Sequence, residues 1–427
     1  MTQRYDTYKD SGVQWLGEIP GHWGCVRLKN VCTGFSNGTT ADQVDFLDGT
    51  VSVTRIETIS KGIINYEKVG HVQYSNNLLN YRLQVGDILF SHINSYERVG
   101  NCALYEGEHP LYHGMNLMRI TPISKFAHYK FIHYYLISPL FLKQVQLKCK
   151  PAINQVSIPG KYVKDLRLTL PPLSEQRSIV SFLDSKCGKI DEWVTKKQKE
   201  VENLQELKQR VIADAVTRGL NPHVKMKATN IPWLKEIPEH WEMSKISSHF
   251  RQRNEKVSDK DYPALSVSKQ GVTPQLDNVA LSNAEGASRK LVKVGDYAVN
   301  SRSDRKGSCG VSKYEGSVSL ITIVLEPFNI NGEYIHYLFR SNLWVEEFYR
   351  NGRGIVADLW TTNYQMMKSM YMPVPPIEEQ KQIVSYLDAK CSKIDKLIAN
   401  ITKEIECIKE YKQRLISDVV TGQIKVC

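Results

Sequence analysis

Two blocks of this 427-residue sequence each occur twice, and a duplication of that kind limits the chain to folds built from two similar units. The block Trp15-Leu16-Gly17-Glu18-Ile19-Pro20-Gly21-His22-Trp23 returns as Trp233-Leu234-Lys235-Glu236-Ile237-Pro238-Glu239-His240-Trp241, identical at seven of nine positions. A second block, Pro171 to Asp191, returns as Pro375 to Asp395 with fourteen of 21 positions identical. Between the blocks only short anchors match, Val85-Gly86-Asp87 with Val294-Gly295-Asp296 and Tyr105-Glu106-Gly107 with Tyr314-Glu315-Gly316. Trp15 recurs 218 residues later and Pro171 only 204 residues later, so the second intervening region is 14 residues shorter. Similar edges around divergent middles predict a common scaffold presenting two different binding faces. The plain alternative is a tandem duplication without division of labour.

After each double proline no further proline interrupts the chain up to Val216 or Val420, and Glu175 and Glu379 lie where a helix N-terminus favours acid. Each region reads as helix, with Gly188 and its counterpart Ser392 marking an expected break between a short helix and a long one. A heptad seam follows. Its rows in the second copy are Ile394, Ile401, Ile408, Leu415 and Ile398, Ile405, Lys412, Val419, apolar at seven of eight positions. The first copy has Ile190, Lys197, Leu204, Val211 and Val194, Val201, Lys208, Ala215, apolar at six of eight. Two narrow seams in one chain are most economically buried against each other, and antiparallel pairing would relate the units by a pseudo-twofold axis. The 29 residues from Gly188 to Val216 would rise about 43 Å, slightly more than one turn of B-DNA. Parallel pairing in a homodimer is the alternative. Lys208 and Lys412 occupy equivalent seam positions, either setting register or reaching water at the end of the contact.

The middles read as short apolar runs bounded by turn residues, for example Val51-Ser52-Val53 and Ile88-Leu89-Phe90 as strands, with helices at Lys130–Ile137 and Tyr334–Phe339. The expected fold class is therefore α+β: two α+β domains, 1–170 and 220–374, each followed by a helical spacer, 171–219 and 375–427, the two spacers forming an antiparallel coiled coil.

Fifty-six Lys and Arg against 45 Asp and Glu leave a charge of +11, which favours a polyanionic partner. Nine cysteines without a C-x-x-C pair indicate neither a disulfide framework nor a zinc knuckle. With a polar Met1–Gly12 segment and no long apolar run, they predict a soluble cytoplasmic protein holding reduced thiols.

Candidate DNA-reading residues lie where strands end in polar or basic loops. In the first domain these are Thr54, Arg55, Ser91, His92, Asn94, Arg98, Asn154 and Gln155. In the second they are Ser268, Lys269, Gln270, Asn300, Ser301, Arg302, Arg305, Lys306, Arg350 and Arg353. Arg, Asn and Gln suit bidentate contact with purine edges, whereas Ser and Lys mostly position the backbone. The tryptophan block suggests a stacking platform at first sight. Its place just before each domain suits a structural clasp better, and His22 and His240 share that role. No Walker A loop, His-Glu-x-x-His or Asn/Asp-Pro-Pro-aromatic signature is present, and Asn221-Pro222-His223-Val224 and Gly160-Lys161 are superficial matches.

The doubled Trp15–Trp23 block and the doubled Leu170–Val180 block together resemble the specificity subunit of type I restriction-modification systems, over essentially the whole chain. The resemblance implies two target-recognition domains, each reading one half of a bipartite, asymmetric DNA site, with paired helices setting the gap. It also implies docking of two methyltransferase subunits and ATP-dependent restriction subunits. Those partners would carry out adenine methylation and cleavage with S-adenosylmethionine, ATP and Mg²⁺, leaving this chain without cofactor, metal or catalytic residue. The rival readings are a coiled-coil assembly adaptor whose basic domains bind protein, and an enzyme with an inconspicuous active site.

Overall fold

The computed structural model describes residues 4–60, 62–152, 155–258, 260–275, 288–354 and 360–426. Contacts divide the chain into two compact units, residues 1–197 with 403–427, and residues 198–402. Each is a mixed α/β structure.

The first unit is organised by an antiparallel four-stranded sheet in the order Cys102–Leu104, Ile88–Phe90, Met118–Pro122, Cys32–Asn37. Ile88, Leu89 and Phe90 are all buried, so this apolar strand is covered on both faces. The turn before it explains why Val-Gly-Asp recurs: Gly86 takes φ +96°, open to glycine, and the buried Asp87 carboxylate accepts the Gln84 N–H at 2.8 Å. Helix Tyr129–Leu136 buries Phe131, Ile132, Tyr135 and Leu136 in the same core, and Ser138 then caps helix Pro139–Lys148.

The second unit repeats this plan. Its four-stranded sheet runs Phe250–Gln252, Thr322–Pro327, Tyr297–Asn300, Cys309–Val311. Gly295 has φ +90° and the Asp296 carboxylate accepts the Lys293 N–H at 2.8 Å. Helix Gly332–Arg340 buries Tyr334, Ile335, Leu338 and Phe339, and Ser341 caps helix Asn342–Arg350. One addition distinguishes it: Arg253 grips Asp296 through two nitrogens, at 2.6 and 3.1 Å.

The long helices are Leu173–Arg218, 46 residues, and Ile377–Val420, 44 residues. The expected break at Gly188 and Ser392 is absent, and both helices run through without interruption. A single helical glycine costs only about 1 kcal/mol relative to alanine, too little to break a helix that the buried Cys187 and Leu183 anchor on one side. No seam position is exposed. In the first unit Lys412 Nζ meets Asp191 at 2.6 Å, while the Val420 carbonyl accepts the Thr169 hydroxyl at 2.6 Å, so the two helix segments of that unit run in opposite directions. In the second unit Lys208 meets Asp395 at 2.7 Å, and the Tyr334 hydroxyl lies between the carbonyls of Val216 and Pro373. Both seam lysines are thus paired with the repeat-equivalent aspartate of a partner segment.

Each long helix exits through a left-handed glycine packed on tryptophan. Gly422 (φ +77°) lies against Trp23 and Pro20, and Gly219 (φ +75°) against Trp241 and Pro238. Trp23 and Trp241 are fully buried, which leaves neither of these two rings a face for a nucleotide base, and their packing on the helix exits suits a clasp. Among the described residues, the cysteines Cys25, Cys32, Cys102, Cys149, Cys187, Cys309, Cys391 and Cys407 are free, and no helix is long and apolar enough to cross a membrane.

Burial lowers the pKa of three histidines, His113, His133 and His336, to about 4. Their neutral forms carry no penalty above pH 6.5. Between about pH 6.5 and 4 the unfolded chain binds protons that the folded chain does not, so stability falls as pH falls through that window. His113 alone, bonded through Nε2 to the Leu117 carbonyl at 3.0 Å, accounts for on the order of 3 kcal/mol. Urea midpoints are expected to drop steeply from pH 6.5 to 4.5, and His113→Gln is expected to flatten that drop. An unchanged slope in the variant would show that the ring is not the titrating group.

Candidate nucleic-acid interface

Part of the candidate set is assembled by an equivalent backbone bridge in the two units. In the first unit, the loop leaving strand Ile88–Phe90 forms Ile93–Asn94, which pairs with Gln155–Ser157, and that strand pairs in turn with Lys150–Ala152. Ile93 lies opposite Ser157. In the second unit Arg302 bridges Thr361, and Thr361 also bridges Arg353. Ile93 and Arg302 each stand six residues after the aspartate of Val-Gly-Asp, and Ser157 and Thr361 each stand 14 residues before the double proline. A repeated backbone bridge therefore carries isoleucine in one unit and arginine in the other.

In the second unit this bridge unites two groups that are nearly fifty residues apart in sequence, Arg302 and Arg305 with Arg350 and Arg353. Further hydrogen bonds fix the loop: Ser303 N–H to the Trp360 carbonyl at 2.9 Å and Thr362 N–H to the Ser301 carbonyl at 3.0 Å. Acidic neighbours hold the arginines in place. Asp304 takes Arg302 at 3.0 Å and Arg305 at 3.7 Å, and Glu347 takes Arg350 at 3.2 Å. These cations remain substantially exposed, with Arg305 and Arg350 side chains 66% and 63% accessible, so the pairs are weak and exchangeable for phosphate. Asn300 is half-buried, and its side chain accepts the Arg302 N–H at 3.1 Å. Lys306 instead pairs with Glu346 at 3.0 Å and, with Lys269, lines a cleft beside the long-helix residues Lys208 and Asp395. Ser268, Lys269 and Gln270 form the turn of hairpin Leu265–Ser268/Gly271–Pro274, the Lys269 carbonyl accepting from Arg340.

In the first unit Asn94 and Gln155 come together on neighbouring strands, and Arg98 is exposed on the same loop. Asn94 is partly occupied: its Nδ2 donates to Ser91 Oγ at 3.0 Å and its Oδ1 accepts the Ser95 N–H at 2.9 Å. Arg55 is exposed but follows a strand of a different sheet, Gln43–Val44, Gly70–Gln73, Thr50–Val53, and pairs with Glu57 at 3.6 Å. Asn154 lies outside the described residues.

Four candidates are corrected by burial. Thr54, Ser91, His92 and Ser301 are interior. Thr54 Oγ1 accepts the Gly114 N–H at 2.9 Å, Ser91 Oγ holds Asn94, and burial depresses the His92 pKa. The Ser301 side chain is enclosed while its carbonyl holds Thr362. Polar residues at a strand end serve the fold's own hydrogen bonds as readily as a ligand's. Sequence reading also passed over Lys150 and Tyr96, both exposed, one on the paired hairpin and the other on the Ile93 loop. No polar cluster marks either of them; only strand pairing places them here.

The edge blocks prove to be attachments. His22 Nε2 meets Glu175 at 2.8 Å, where Tyr5 also donates, and His240 Nε2 meets Glu379 at 2.7 Å. Gln176 Oε1 accepts the His128 N–H at 2.7 Å ahead of helix Tyr129–Leu136, and Gln380 Oε1 accepts the Asn331 N–H at 2.8 Å ahead of helix Gly332–Arg340.

The family description "Type I restriction modification DNA specificity domain" matches residues 20–203 and 238–407. A protein of Methanocaldococcus jannaschii assigned as the specificity subunit of type I restriction enzyme MjaX is 31% identical, over 96% of each chain. The specificity subunit of type I restriction enzyme MjaVIII from the same organism is 24% identical over 68% of this chain and 70% of its own. A solved structure described under complex assembly and conformational transition of the type I R-M system matches the fold with TM-score 0.70 at 17% identity, covering 95% of this chain and 99% of that one.

Proposed function

Because the chain belongs to the type I restriction-modification specificity family, we propose that each of its units reads one half of a bipartite, asymmetric DNA site. As a specificity subunit it recognises DNA sequence and is not the catalytic component of its system. The observation that carries the two-reader assignment is the repeated bridge, Ile93 to Ser157 and Arg302 to Thr361, which presents different side chains from the same backbone. One scaffold with two chemistries reads two unlike half-sites. The reading set is Arg55, Asn94, Arg98, Asn154 and Gln155 for one half, and Asn300, Arg302, Arg305, Arg350 and Arg353 for the other, with Ser268, Lys269, Gln270 and Lys306 at its margin.

The reader domains are 1–170 and 220–374, and the spacers 171–219 and 375–427 form an antiparallel coiled coil that relates them by a pseudo-twofold axis. The unexposed heptad rows and the two Lys–Asp pairs support that arrangement. The spacers set the gap and dock two methyltransferase subunits, joined by ATP-dependent restriction subunits in the cytoplasm. S-adenosylmethionine, ATP and Mg²⁺ act in those partners. Co-expression with the cognate methyltransferase subunit, followed by genome-wide mapping of methylated adenine, is expected to return one split motif with unlike halves. A continuous motif or a palindrome would refute two diverged readers.

A further inference from the structure

Each unit contains a further attachment between its domain helix and its long helix, made by residues that recur in both copies. The Tyr134 hydroxyl donates to Asp184 at 2.7 Å, and the Tyr337 hydroxyl donates to Asp388 at 2.6 Å. Both tyrosines follow a histidine, His133 and His336, and both aspartates lie nine residues after the clasp glutamates Glu175 and Glu379. One neighbour has changed sign. Lys130, which meets Asp184 at 3.2 Å and Glu106 at 3.1 Å, is replaced in the second copy by Glu333. The hydroxyl–carboxylate contact persists through that charge reversal one helical turn away.

The location gives these pairs leverage. The glutamate and glutamine attachments lie in the first turn of each long helix, whereas Asp184 and Asp388 lie more than two turns further on. Beside them the two elements part. Tyr134, Asp184, Cys187, Asp191 and Lys412 line a cleft of about 1110 Å³, and the equivalent Tyr337, Asp388, Cys391, Asp395 and Lys208 line one of about 870 Å³. The apolar contacts of Leu183 and Cys187, and of Leu387 and Cys391, hold the domain on its helix without fixing a direction, so tilting on that surface would open or close the cleft. A short, charge-assisted hydrogen bond across the cleft opposes that rotation. Burial and the adjacent carboxylate both push the two phenol pKa values up, so each hydroxyl stays protonated and remains a donor across the working pH range.

We propose that Tyr134–Asp184 and Tyr337–Asp388 are positioning pairs that fix the angle of each reader on its spacer and so enforce a single gap length between the half-sites. This rests on the two-reader function proposed above. Tilting of a reader on its helix moves its DNA-facing loops along the duplex, so a loosened reader accepts half-sites displaced by one base pair while still reading the same bases.

The test is methylation mapping with Tyr134→Phe, Tyr337→Phe and the double variant in complex with the methyltransferase subunit. Each substitution keeps the ring and removes only the hydroxyl. The expected result is unchanged half-site sequences, a melting temperature within about 2 °C of wild type, and at least a fivefold rise in methylation at gaps one base pair longer or shorter. Asp184→Asn, which keeps an acceptor for the phenol, is expected to widen the gap spectrum less than Tyr134→Phe. A double variant with the wild-type gap spectrum would overturn the proposal, as would altered half-site bases or a uniform loss at all gap lengths. A wild-type complex that methylates a continuous motif would instead sink the two-reader function itself.

Discussion

Trp241→Ala is expected to destabilise the protein by about 3–5 kcal/mol, the range for removing a large buried aromatic side chain. Trp241 is fully enclosed in the core of the second unit with Ile237, Val216, Met372 and Ile383. It closes over Gly219, whose left-handed conformation turns the chain out of the long helix. The cavity would be shared by the domain, the helix exit and the entering strand Leu234–Pro238, none of which closes it alone. Denaturant titration monitored by circular dichroism measures the effect, and a loss under about 1 kcal/mol would mean that the tryptophan is not structural. Trp23→Ala has the same expectation for the first unit, where Gly422 and Pro20 pack on the ring.

Replacing Arg302, Arg305, Arg350 and Arg353 together with alanine is expected to weaken DNA binding by about a hundredfold to a thousandfold near physiological salt and to reduce the salt slope by about three. Arg302 and Arg353 are joined through Thr361, Arg305 and Arg350 lie three residues from them in sequence, and none of the four is buried or part of the core. Stability is therefore expected to change by less than about 1 kcal/mol. Fluorescence anisotropy with a duplex carrying the full site, at several salt concentrations, gives both quantities. Four exposed lysines of the long helices, Lys196, Lys393, Lys403 and Lys409, serve as the matched-charge control. An equal loss from the control would reduce the arginine effect to net charge.

The repeat was legible because identical side chains at equal spacing need no structure to be seen, and it carried the division into two similar folds. Strands such as Ile88–Phe90 and the helix at Tyr129–Leu136 followed from apolar periodicity and turn residues. What the pattern could not express was pairing over distance. Gln176 and Gln380 look like ordinary polar helix residues until their amides meet His128 and Asn331. Likewise, nothing local joins Arg353 to Arg302, since the bridge runs through Thr361. Burial of Thr54, Ser91, His92 and Ser301 was illegible for the converse reason: composition marks a residue as polar without saying whether its hydrogen bonds are already taken. Gly188 was given too much weight, because glycine weakens a helix by less than the packing of its neighbours restores.

The first unit includes residues 403–427 as well as 1–197, and its core contains Leu415, Ile416, Val419 and Val420. Tyr8 donates to the Gly422 carbonyl at 2.9 Å, and Gln423 donates to the Glu18 carbonyl at 2.8 Å. During synthesis residues 1–197 must therefore wait for residues 403–427. The second unit, continuous from 198 to 402, is complete on the ribosome while the first still lacks part of its interior. The usual vectorial order, amino-terminal part first, is reversed in this chain. A messenger ending before the codon for Lys403 would yield a product sound in its second unit and unfinished in its first.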